Sequence, residues 1–266
     1  MTGATPQVRL IEAYRAPVGP ARMLGRRTES THETRRYLQR RVRERLRIAS
    51  SERQIESYVD ELRATGFDVG GIAAAAQQSP PRPWEIGEAL AETLLEDHEE
   101  AYFPWPPAWD KRTESASLQG PDLVGLHAPN RAPRLLFGEV KTSSDVDAPP
   151  SVVTHRDDGL RSQLLRIVTS ERRRQTLVAW LSVRARNQSW QGAFNAALRA
   201  YLGDPSNAVV IGVLLRDTSP TERDLETVKS ALDACATTFE LAVLAFYFAL
   251  AIKEWPEAIT GTEDAP

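Results

Sequence analysis

Asp122, Glu139 and Lys141 are the residues of this chain whose types and spacing suit hydrolytic chemistry. Glu139 and Lys141 stand two apart in LLFGEVKTSS, the otherwise apolar run from Leu135 to Ser144. On a strand, residues i and i+2 share a face. An opposite-charge pair inside an apolar strand is costly unless it has partners or a task. Upstream, PDLVGLH (Pro121–His127) reads as a strand, APNRAP as a turn and RLLFGEVK (Arg134–Lys141) as the returning strand. With the turn centred on Asn130 and Arg131, Asp122 falls opposite Glu139. Two adjacent carboxylates repel each other, and a cation between them relieves the repulsion. Mg²⁺ takes oxygen from one or two carboxylates and keeps several waters; Mn²⁺ is able to substitute. Lys141 beside such an ion is suited to stabilise an attacking hydroxide or the charge that builds at phosphorus.

Pro121-Asp122, a 16-residue interval and Glu139-Val140-Lys141 resemble the PD-(D/E)xK nuclease superfamily. The resemblance implies that Asp122 and Glu139 bind Mg²⁺ with the Val140 carbonyl, and that Lys141 positions or activates the water. It also implies a further metal-binding carboxylate from the preceding helix, here Glu88 after Gly87, and a site glutamine from the following helix, here Gln163. Gly87-Glu88, Gly120-Pro121-Asp122 and Gly138-Glu139-Val140-Lys141, between Trp84 and Ser144, are similar to motifs of the HamA family, the nuclease subunits of the Hachiman anti-phage system. That likeness implies a DNA substrate in prokaryotic defence and a superfamily 2 helicase partner, HamB-like, that restrains the nuclease. The same residues also fit plainer readings. Glu139 and Lys141 would make a structural ion pair on a sheet edge, and Asp122 a turn cap before a strand. Glu88 would belong to a solvated helix face. The chain would then be a non-catalytic adaptor on a nuclease-like fold, or the enzyme a restriction or repair nuclease without a helicase.

The elements that must position these groups follow from periodicity. Trp84 to His98 reads as a helix, with Ile86, Leu90 and Leu94 on one side and Glu85, Glu88, Glu92 and Glu96 on the other. Helices are expected over Asp158–Ala185, Trp190–Leu202 and Thr221–Cys235, and strands over Asn207–Leu215 and Phe239–Phe248. The expected class is α/β, a restriction-endonuclease-like mixed sheet flanked by helices. Residues 1–80 read as an arginine-rich, mostly helical region and residues 81–266 as the nuclease-like domain, with Pro80, Pro81 and Pro83 at the boundary. Val8–Ala13 reads as a short opening strand, Thr34–Ile48 as a helix, and Ser51–Ala64 as another with Ser51 as N-cap.

Composition narrows the classes further. The net charge of −3 gives no global basic field for nucleic acid, so local patches carry that expectation. Ten arginines between Arg22 and Arg47 face only Glu29, Glu33 and Glu44, and Arg35, Arg36, Arg40, Arg43 and Arg47 align on a helix. Arg166, Arg172, Arg173 and Arg174 form a second group. DNA phosphates, an acidic partner or plain solvent are the readings open to both. Only four of 33 basic residues are lysines, which makes Lys141 more informative than a lysine usually is. Cys235 is the single cysteine, which excludes an intrachain disulfide and fits a reducing cytoplasm. His32, His98, His127 and His155 lack metal-binding spacings. No GxSxG or P-loop is present. The apolar run Leu241–Ile252 is about half the length a membrane helix needs, and no membrane association is expected.

Overall fold

A computed structural model describes residues 8–16, 19–49, 59–66, 70, 81–105, 120–235 and 237–261. The N-cap expected at Ser51, the boundary at Pro80 and the Arg47 side chain lie outside the described residues. The chain is α/β, with one seven-stranded mixed sheet between helical layers. Strands β1 (Ile11–Arg15), β2 (Ala21–Arg27), β3 (Ala101–Tyr102), β4 (Leu123–His127), β5 (Arg134–Ser143), β6 (Ala208–Arg216) and β7 (Glu240–Tyr247) stand in the order β1-β2-β7-β6-β5-β4-β3. The central β5, β6, β7 and β2 run parallel, whereas β3, β4 and β1 pair antiparallel.

Strands buried on both faces explain the continuous apolar runs VVIGVLL and LAVLAFY. On one face lie α1 (Thr31–Tyr37), a π-helical turn (Leu38–Val42), α2 (Arg43–Ala49), α3 (Pro83–His98) and α9 (Trp255–Thr260). They bury Leu38, Val42, Ile86, Leu90, Leu94 and Trp255 against it. The other face is covered by α4 (Ser151–Thr154), α5 (Leu160–Thr169), α6 (Glu171–Arg184), α7 (Gln191–Gly203) and α8 (Arg223–Asp233).

Three expectations change. The sheet crosses the division placed between residues 80 and 81, because β2 pairs with β7 along its whole length. The N-terminal region therefore contributes two strands to the central sheet, and its helices lie on the sheet that carries β5. Strand β2 stands in the region expected to be mostly helical; ARMLGRR carries three arginines and a glycine, and Arg22 and Arg26 are neutralised by Glu99 at 2.5 and 2.9 Å, far along the chain. The single helix expected over Asp158–Ala185 breaks at Ser170. The Ser170 hydroxyl accepts from the Arg173 N–H at 3.3 Å and starts α6. The buried Arg174 guanidinium donates to the carbonyls of Ile167 and Val168 at 2.6 and 2.7 Å, satisfying the last turn of α5.

The arginine-dense helix also has a different role from an open basic stripe. Arg45 pairs with Glu92 at 2.5 Å and Glu96 at 3.5 Å, and donates to the Phe103 carbonyl. Arg41 pairs with Asp97 at 2.8 Å, and the Tyr37 hydroxyl donates to the same carboxylate. Glu92, expected on the solvent side of α3, is buried. Its carboxyl is pushed above its ordinary value by that burial, a cost that Arg45 offsets. Arg36, Arg40 and Arg43 remain on the exposed side.

Candidate active site

The hairpin has the register the sequence suggested. Leu123 pairs with Gly138 and Val124 with Phe137, which sets Asp122 beside Glu139. Strand β4 begins only at Leu123, so β5 extends past it. The Asp122 carboxylate takes the place of a strand neighbour there, accepting from the Val140 N–H at 3.0 Å. In extended chain a residue's N–H and C=O point to the same edge, so the Val140 carbonyl also faces the Asp122 side.

Glycines shape the strands around these groups. A Cβ on Gly138 would collide with the Ile211 carbonyl, so its absence lets β5 and β6 close up one residue before Glu139. Gly212 stands opposite Glu139 in β6, and its missing side chain admits Leu160 and Leu164 of α5. Glu139 accordingly points to the face covered by α5 and α6, whereas Val140 packs into the opposite core.

Glu139 is wholly buried, and neither carboxylate oxygen has a hydrogen-bond partner among the described residues. Lys141 Nζ lies 3.8 Å from Glu139 Oε2 and 3.9 Å from Asp122 Oδ2, ion-pair contacts too long for hydrogen bonds. Burial, then the neighbouring Asp122 charge and a hydrogen bond that the protonated form donates to Asp122, raise the Glu139 carboxyl to about 9, against the pull of Lys141 and Arg173. The arrangement is a buried acid held apart from water, a second carboxylate partly open to it, and a lysine spanning both.

The structure thus brings Asp122, Glu139, Val140 and Lys141 together. Gln163 lies on α5 between Leu160 and Leu164, on the same side of the sheet; its Oε1 is buried and without a partner among the described residues. Glu88 is not brought together with the carboxylates. It sits on α3, which covers the other face of β5 where Gly87 abuts Thr142. Among the described residues no three Asp, Glu, His or Cys side chains cluster as a metal site. His127 stands at the far end of β4, with Nδ1 3.0 Å from an Arg134 nitrogen. Of the second arginine group, Arg174 is a buried structural residue and Arg166 pairs with Asp157 at 3.8 Å. The sequence grouped Arg173 in a patch open to DNA phosphates; its positive charge also favours the ionised form of Glu139. No described helix is long and apolar enough to cross a membrane. No family model and no curated protein matches this chain.

Proposed function

We propose that this protein is a metal-dependent nuclease of the PD-(D/E)xK type that hydrolyses DNA phosphodiester bonds. The observation that carries the reading is the Glu139 carboxyl group, wholly buried with no N–H or hydroxyl donor to either oxygen among the described residues, beside a second carboxylate and a lysine. A structural ion pair would close those hydrogen bonds, since buried polar groups are nearly always satisfied. Two carboxylates and a strand carbonyl, with room for water on the Asp122 side, are a donor set that suits Mg²⁺ or Mn²⁺. The order helix, antiparallel β3-β4-β5, helix and parallel β6 supports a restriction-endonuclease-like core.

In this reading Asp122 and Glu139 hold the ion, with the Val140 carbonyl beside them. When bound, the ion makes a coordinated water more acidic and neutralises charge at phosphorus. Lys141 does the remaining electrostatic work: its ammonium orients the attacking water by hydrogen bonding and stabilises the added negative charge. Asp122 fixes the height of the Val140 peptide through its hydrogen bond and so sets where the carbonyl stands. Leu160 and Leu164 exclude water from the inner side of Glu139. By resemblance, the biological setting proposed is anti-phage defence, with a superfamily 2 helicase as partner.

The test is cleavage of linear and supercoiled plasmid by the purified chain with Mg²⁺ or Mn²⁺, beside Lys141→Ala. Cleavage by the wild type alone supports the reading. A chain that neither cleaves nor gains thermal stability from either ion, with Asp122→Ala indistinguishable, rules it out in favour of an adaptor.

A further inference from the structure

Arg173 is the one site-facing arginine whose guanidinium makes no hydrogen bond or ion pair among the described residues. Arg174 is locked into the carbonyls of α5, Arg166 pairs with Asp157, and Arg172 is exposed. The Arg173 backbone is fixed by the Ser170 cap at the first turn of α6, directly before buried Arg174. One turn further, on the same side of α6, Leu177 reaches towards Gly120, two residues ahead of Asp122. That face of the helix therefore looks onto the entry of β4 and the carboxylates. Arg173 is only half-buried, so its charge stays open to a ligand.

The geometry points to Arg173 as a phosphate-binding residue of the site, the second cation beside Lys141. It would hold a non-bridging oxygen of the scissile or adjacent phosphodiester. The inference rests on the nuclease reading and deepens it. A guanidinium offers paired donors in a plane that matches a phosphate, which an ammonium does not. A half-buried arginine without a carboxylate partner is costly to the fold alone, and a bound phosphate would offset that cost.

The experiment uses the full chain and a short labelled DNA duplex, with Ca²⁺ replacing Mg²⁺ in the binding arm and Mg²⁺ present in the cleavage arm. Arg173→Gln is expected to weaken binding about tenfold and lower the slope of log affinity against log salt by about one. Arg173→Lys is expected to recover the salt slope but only part of the cleavage rate. Arg131→Ala, in the exposed turn at the far end of the hairpin and paired there with Glu100, is expected to leave both unchanged. Unfolding midpoints of all variants separate loss of binding from loss of fold. Wild-type cleavage with Arg173→Gln unaltered in affinity and salt slope overturns the role of Arg173 and leaves the nuclease reading standing. A wild type that neither binds nor cleaves the duplex overturns both.

Discussion

The Asp122 carboxylate accepts a hydrogen bond from the Val140 backbone N–H at 3.0 Å, although the two residues lie 18 apart in the chain. Asp122 is therefore fixed to the middle of the Glu139-Val140-Lys141 step. Replacing it removes a proposed metal ligand and also frees the edge of β5. Asp122→Asn keeps an acceptor for the N–H and changes only the charge. It is expected to retain the wild-type unfolding free energy within about 1 kcal/mol while losing the thermal stabilisation by Mg²⁺ or Mn²⁺. An undiminished metal response in this variant would remove Asp122 from the site.

Lys141 touches both carboxylates at ion-pair distance without a hydrogen bond to either. Lys141→Met is expected to reduce cleavage by about 10²–10³-fold, the range for loss of one preorganised electrostatic group, with duplex binding in Ca²⁺ largely kept. Steady-state cleavage and anisotropy measured on the same preparation separate the two effects. Equal losses in both would make Lys141 a binding group.

The metal-free protein is expected to lose stability as pH rises. Glu139 holds its proton to about 9 in the folded chain, against 4.5 for an ordinary glutamate. Between those values the folded state binds more protons than the unfolded one, so each pH unit costs up to about 1.4 kcal/mol. The contribution is fully present below pH 4.5 and is lost through the folded value. Thermal melts from mildly acidic to mildly alkaline pH should show the decline, and Glu139→Gln should flatten it. A profile identical in both proteins would mean that Glu139 is not the buried proton.

Arg45 and Glu92 form a buried ion pair between the N-terminal helices and α3, with side chains only 10% and 9% exposed. Arg45→Met leaves a buried carboxylate uncompensated and is expected to cost about 3–5 kcal/mol by denaturant unfolding. Adding Glu92→Leu to it should recover most of that loss. A single variant as stable as the wild type would show that the pair does not hold the layers together.

Gly138 approaches the Ile211 carbonyl too closely for any Cβ. Gly138→Ala is expected to destabilise by about 1–3 kcal/mol and to depress cleavage, since the strain falls one residue from Glu139. Gly192→Ala, where a Cβ meets nothing, is the matched control and should be neutral or slightly stabilising.

The sequence was most legible where the signals are local. The APNRAP turn, centred on Asn130 and Arg131, set the hairpin register and with it the meeting of Asp122 and Glu139. The apolar runs of β6 and β7 and the stripe of α3 were equally plain. What escaped depends on distant partners. Nothing near Glu92 reveals that Arg45 will bury it, and nothing near Arg22 and Arg26 reveals that Glu99 permits a strand there. The break at Ser170 needs the Arg174 side chain to be seen turning back. Helical spacing gave Glu88 a face on α3, but which face of β5 that helix covers is a property of the packed sheet.

The pairing of β2 with β7 has a consequence for the order of assembly. Residues 21–27 find their parallel partner only in residues 240–247, which leave the ribosome more than two hundred residues later. β6, which flanks Glu139 and supplies Gly212, is likewise made long after β5. A nascent chain that has completed the Asp122–Lys141 hairpin still lacks the strand that aligns it. Asp122, Glu139 and Lys141 are therefore translated early and assembled late, so that an interrupted polypeptide carries the motif without the enclosure of Glu139.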